Sequence, residues 1–141
     1  MTKEHTYHLE LVITGEKSGR LTPKGLSPQL FTASTAYGGD PSLWTSKEYL
    51  LGALASCLML TFQALVEKVK IPVEIVRVPI EGILTEEGGG LSSFSRFIVR
   101  PELKAPTEHQ VKAEELLEKA HKYCLISRSL KGEVTIDPRF V

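Results

Sequence analysis

Residues Tyr49 to Leu65, YLLGALASCLMLTFQAL, run for 17 positions without a charge. A helix apolar on nearly all sides is normally buried in a core or between subunits. The run stops short of the roughly 20 residues that cross a bilayer. Gly52, Ser56 and Gln63 interrupt it, and its flanks read as ordinary globular strands. It is expected as a buried central helix, with no membrane among the partners. Its start is marked: Thr45 and Glu48 have the spacing of a capping box, and Trp44 sits where a hydrophobic staple would. Pro72 sets the end, near Lys70.

The remaining elements follow from periodicity. Tyr7, Leu9, Leu11 and Ile13 alternate with polar residues or valine, a strand pattern, and TGEKSGR (14–20) makes a glycine-marked turn. Residues 21–44 are rich in Pro, Gly, Ser and Thr, with one short strand expected at QLFTAS (29–34). VEIVRVPIEGILT (73–85) reads as a strand carrying Val76, Val78, Ile80 and Leu84 on one face. Pro79 places it at a sheet edge or a bulge, because proline cannot donate to a ladder. EEGGG (86–90) turns the chain into a second strand over 91–103, an antiparallel hairpin.

A second helix opens at PTEHQ (106–110), where Thr107 and Gln110 repeat the capping-box spacing. Ala113, Leu117, Ala120 and Cys124 form its apolar stripe, and Glu115–Lys119 and Glu118–Lys122 are i,i+4 pairs on the wet side. GEVTIDP (132–138) supplies a last strand. The order strand, helix, hairpin, helix, strand defines a single α+β domain over residues 1–141, with an antiparallel sheet and two core helices.

Seventeen basic and 17 acidic residues give zero formal charge, so nothing argues for nucleic acid. A neutral chain draws no solubility from net charge, and covering apolar surface in a homodimer suits it. The opening residues carry charges and no apolar signal core, so a cytoplasmic location is expected. There a static disulfide is disfavoured, whereas a transient one is not.

The chain has two cysteines. Cys57 shares its helix face with Ala53, Leu54, Leu60 and Thr61, and Cys124 closes the stripe of the second helix. Both therefore point at the core, and two sulfurs distant in sequence would meet where the helices cross. Two uses stand open: small hydrophobes that pack, or a reactive pair. His121 and Cys124 share a face at i,i+3, but no second pair has metal-ligand spacing, so neither metal nor bound cofactor is expected.

Two blocks carry a family resemblance. SKEYLLGALASCLML (46–60) and AHKYCLISRSLKGEVTI (120–136), with their cysteines 67 residues apart, resemble the OsmC/Ohr superfamily of osmotically inducible and organic hydroperoxide resistance proteins. That resemblance implies an intertwined homodimer and a thiol peroxidase. Cys57 would be the peroxidatic and Cys124 the resolving residue, acting on organic hydroperoxides in oxidative-stress defence. An external dithiol, of lipoyl type in one branch, would return the disulfide.

Family peroxidases activate the first thiol with an arginine held by a glutamate ten residues before it. Here Lys47 stands at that position and Glu48 one residue later, as in a related branch. The turn TGEKSGR resembles the arginine-bearing turn, with Lys17 at the overlaid position and Arg20 three further on. Arg20 and Glu48 are the candidate activators, with Arg128 a further cation; Leu125 replaces a proline usual after the second cysteine. The alternative is a non-catalytic scaffold of this family that binds an apolar small molecule or senses oxidants.

Overall fold

The computed structural model describes residues 2–141, and the chain divides between Leu50 and Leu51 into two compact units. In the first, three strands form an antiparallel meander: β1 (Leu9–Ile13), β2 (Ser18–Pro23) and β3 (Gln29–Thr32). Strand β2 occupies the segment expected as turn and loop. Ser18, Gly19 and Arg20 pair with Thr32, Phe31 and Leu30, and the same strand pairs on its other side with β1. A glycine and several polar residues among its six positions hide a strand whose ladder is its main support. Gly39 lets the following loop close, since a Cβ there would lie 1.6 Å from the Ala33 carbonyl oxygen.

Helix α1 (Ser46–Val69) begins where its cap was expected. The Glu48 carboxylate accepts the Thr45 amide at 2.8 Å, and the Thr45 hydroxyl accepts the Lys47 amide at 3.2 Å rather than that of Glu48. The staple also forms, as Trp44 and Tyr49 pack with ring centroids 5.1 Å apart. Lys70 ends the helix in the left-handed region, φ 59°, its amide bonded to the Val66 carbonyl at 2.9 Å. Although α1 is long and apolar enough to span a bilayer, Leu54, Leu58, Met59, Phe62 and Val66 are buried within the fold. Its burial is one-sided, and Leu60 on another face is 65% exposed.

The second unit carries two small sheets. The expected strand over 73–85 breaks at Val78–Pro79 into β4 (Glu74–Arg77) and β5 (Ile80–Gly88). Likewise the expected strand over 91–103 breaks at Arg100–Pro101 into β6 (Leu91–Val99) and β7 (Glu102–Lys104). A third break at Asp137–Pro138 separates β8 (Glu133–Ile136) from β9 (Arg139–Phe140), a strand the sequence pattern did not reveal. Each proline lies where the chain leaves one sheet for the other, and the resulting orders are β5-β6-β8 and β4-β7-β9. Both β4 and β5 are edges, as Pro79 required. Of the residues expected on one face, Val76 and Leu84 are exposed while Val78 and Ile80 are half-buried. The register shift between Ile83 and Leu84 changes which side chains point inward.

The β5–β6 hairpin is antiparallel, but β8 runs parallel to β6 and β9 parallel to β7, so the expected antiparallel sheet is mixed. The reason is the crossover from β7 to β8, long enough to return the chain to the same end. It contains α2 (Thr107–Tyr123) and α3 (Leu125–Ser129), the latter not foreseen. The second capping box fails. Pro106 takes the cap position, Thr107 falls inside the helix, and Gln110 donates instead to the Ala105 carbonyl at 3.2 Å. Neither expected i,i+4 pair on α2 closes; Lys112 instead meets Glu115 at 3.5 Å. The stripe Ala113, Leu117, Ala120 and Cys124 is buried throughout, against a core that includes Phe97, Val99 and Leu103.

Candidate functional site

Cys57 lies halfway along α1, on the helix's partly buried side. Thr61, one turn on, donates its hydroxyl to the Cys57 carbonyl at 2.7 Å. Cys124 follows the last residue of α2 and caps α3, with its side chain wholly buried and its sulfur accepting the Ser127 amide at 3.4 Å. Both thiols are free, and the fold brings them together within the second unit, close enough that each perturbs the other's titration.

The electrostatics separate the two. Burial is the largest influence on each and pushes both upward. At Cys57 it is outweighed by donors: the Ile126 amide, the Cys124 thiol, the Leu125 amide and the Thr61 hydroxyl leave the thiol below its ordinary value. Cys124 has the Ser127 amide and, more weakly, the Ile126 amide in its favour, while the Cys57 sulfur opposes its ionisation, and it ends above its ordinary value. Cys57 is thus the thiol that ionises first and Cys124 the one that keeps its proton.

The donors are explained by local structure. The first amides of any helix lack partners within it, and α3 begins immediately after Cys124, so its leading N–H groups are left to the sulfurs. Leucine at 125 supplies an amide that a proline could not. The sequence pattern missed this because α3 is five residues long, too short to show a helical period.

The other candidate residues lie in the first unit. Glu48 is in the opening turn of α1; the Thr45 amide holds its carboxyl below the usual range, with partial burial opposing. Arg20 is exposed on β2, between Val12 and Leu30 in the ladder, and Lys17 precedes that strand. Arg128 is exposed in the last turn of α3. The structure therefore unites Cys57 with Cys124 and gives Glu48 a capping partner. Among the described residues, no three His, Cys, Asp or Glu side chains cluster as a metal site would need.

This combination, three small sheets and their helices in an α+β fold with a paired thiol, defines a class. The OsmC-like protein family matches residues 39–139, and the chain belongs to it. The uncharacterized protein YmaD of Bacillus subtilis is 31% identical over 93 residues, which is 63% of this chain; the chain covers 61% of that relative's length. An OsmC-like protein of unknown function from Vibrio cholerae superposes with a TM-score of 0.78 at 22% identity, over 94% of this chain and 99% of that one. An organic hydroperoxide resistance protein OsmC from Legionella pneumophila gives a TM-score of 0.70 at 20% identity, over 97% and 98%. At these identities the structural likeness establishes the fold.

Proposed function

We propose that this single OsmC-like domain is a thiol-dependent peroxidase of the cytoplasm that reduces organic hydroperoxides through Cys57 and Cys124. The observation that carries the reading is the pairing of a thiol held below its ordinary pKa with a buried thiol held above it. The hydroperoxide resistance protein of the same fold adds support for the substrate class. The Cys57 thiolate attacks the distal oxygen of the hydroperoxide. The O–O bond breaks, the alkoxide leaves as the alcohol after taking a proton, and Cys57 becomes a sulfenic acid. Cys124 then displaces hydroxide from that sulfur, its own proton completing a water molecule, and the disulfide forms. An external dithiol supplies the two electrons that restore both thiols. An apolar setting for Cys57 would favour a hydrocarbon tail, which gains about 25 cal/mol per Å² removed from water.

A homodimer belongs to the same proposal. Leu9, Leu11 and Ile13 lie on one face of β1 and are exposed in the single chain, and Leu60 is exposed on α1. A second copy of the chain is the partner that would cover such residues. Glu48 and Arg20 are proposed as activating groups. A non-catalytic scaffold is the second reading, and the use of the Glu48 carboxylate as a helix cap favours it.

The test is to mix reduced protein with an equivalent of cumene hydroperoxide and count free thiols, alongside Cys57→Ser and Cys124→Ser. The proposal expects both thiols lost within seconds in the wild type, no loss in Cys57→Ser, and a sulfenic acid trapped in Cys124→Ser. Thiols unchanged over many minutes would leave the scaffold as the better account.

A further inference from the structure

Beside the thiol pair, on α2 and α3, lies a cavity of about 390 Å³ lined by Glu118, His121, Lys122, Ser127 and Arg128. Two features of its lining are unusual together. The first is uncompensated positive charge. Among the described residues neither Lys122 nor Arg128 makes an ion pair, the expected Glu118–Lys122 pair being open, and Lys122 rests over the Tyr123 ring at 5.6 Å. The second is an orphan hydroxyl. Ser127 is 9% exposed, and its Oγ, closed off from solvent, has no hydrogen-bond partner. Buried polar groups are nearly always partnered, and an unpartnered one calls for an explanation.

Both features lack the same thing, a negatively charged hydrogen-bond acceptor. We propose that this cavity is a binding site for a small oxoanion, the carboxylate or phosphate group of a small molecule. Lys122 and Arg128 supply the charge, and the Ser127 hydroxyl turns about its one side-chain bond to donate. His121 adds a donor when protonated, and Glu118 is the one carboxylate in the lining, outnumbered by the cations. Nothing in this depends on the thiols acting as a peroxidase. The two sites still share a residue, because Ser127 also gives its amide to the Cys124 sulfur.

The test follows the imidazole of His121 by NMR, assigned with His121→Gln, while inorganic phosphate or acetate is titrated at constant ionic strength against chloride. A saturable shift with phosphate or with acetate, absent with chloride, is expected, and the stronger of the two names the group preferred. Arg128→Gln should weaken binding about tenfold, the worth of one charge-assisted hydrogen bond. Ser127→Ala should weaken it as well, with Ser127→Thr restoring it. The alanine variant removes a hydroxyl that bonds to nothing, so the fold is not at risk. Shifts reproduced by chloride, or full affinity in Ser127→Ala, would overturn the proposal.

Discussion

At Cys57 and Cys124 burial acts alike with opposite results, and the difference lies in which backbone amides reach each sulfur and in the interaction between the two thiols, which lowers Cys57 and raises Cys124. Because Cys57 is held low and Cys124 high, iodoacetamide should label Cys57 at a pH where Cys124 stays unmodified. Mass spectrometry across a pH series reads this directly, and equal labelling would contradict the assignment. Stability follows by linkage. A thiol depressed in the folded state, as Cys57 is, stabilises the fold above its unfolded pKa and loses that contribution as pH falls through its folded value. A thiol raised in the folded state, as Cys124 is, stabilises the fold below its unfolded pKa and loses that contribution as pH rises through its folded value. Cys124→Ala should therefore flatten the alkaline decline in urea-derived stability; an unchanged slope would remove Cys124 as its source. The cysteines themselves were legible, since Cys57 sits midway along an apolar helix and Cys124 closes an apolar stripe. Their donors were not: Leu125 and Ile126 look like packing residues, and a backbone amide leaves no mark in a side-chain pattern.

Helix α1 shows what a terminus encodes. Thr45, Glu48 and Trp44 were readable because caps are chemistry at fixed offsets, and all three engage. The second box misled because a proline took the cap position and shifted the frame by one residue. Glu48, its carboxyl depressed by the Thr45 amide, stabilises above the ordinary carboxylate range and loses that effect as pH falls through its lowered value. Glu48→Gln should accordingly shrink the acid-side loss of stability in melts at graded pH, and an unaltered acid limb would discount the cap. At the other end Lys70 holds a left-handed conformation that costs an ordinary residue about 1–2 kcal/mol. Lys70→Gly is expected to raise stability by about 0.5–1 kcal/mol after glycine's own entropic cost. A lower denaturation midpoint in that variant would refute the strain. By contrast Phe62→Ala, at a site with no exposure, should cost about 3–5 kcal/mol.

Over the whole molecule, the α+β class was legible and the sheet connections were not. In the sequence pattern Pro79 marks an edge or bulge and Pro101 and Pro138 lie inside single expected strands, whereas in the fold all three pass the chain from one sheet to the next. Parallel pairing of β8 with β6 was hidden for a related reason, since strand direction depends on the length of a crossover rather than on any strand's composition. The homodimer is tested at this scale. Leu60→Glu should shift the species seen by light scattering from two copies toward one, and an unmoved mass would leave the exposed leucine without that role. The setting of Cys57 carries one more consequence. The groups that lower its pKa come from Thr61 and from residues 124–126, so they exist together only once the chain extends as far as α3. A nascent or truncated chain that ends before α3 already carries Cys57, but without the amides that favour its thiolate. The lowered pKa of Cys57 is thus acquired only after α3 has been made.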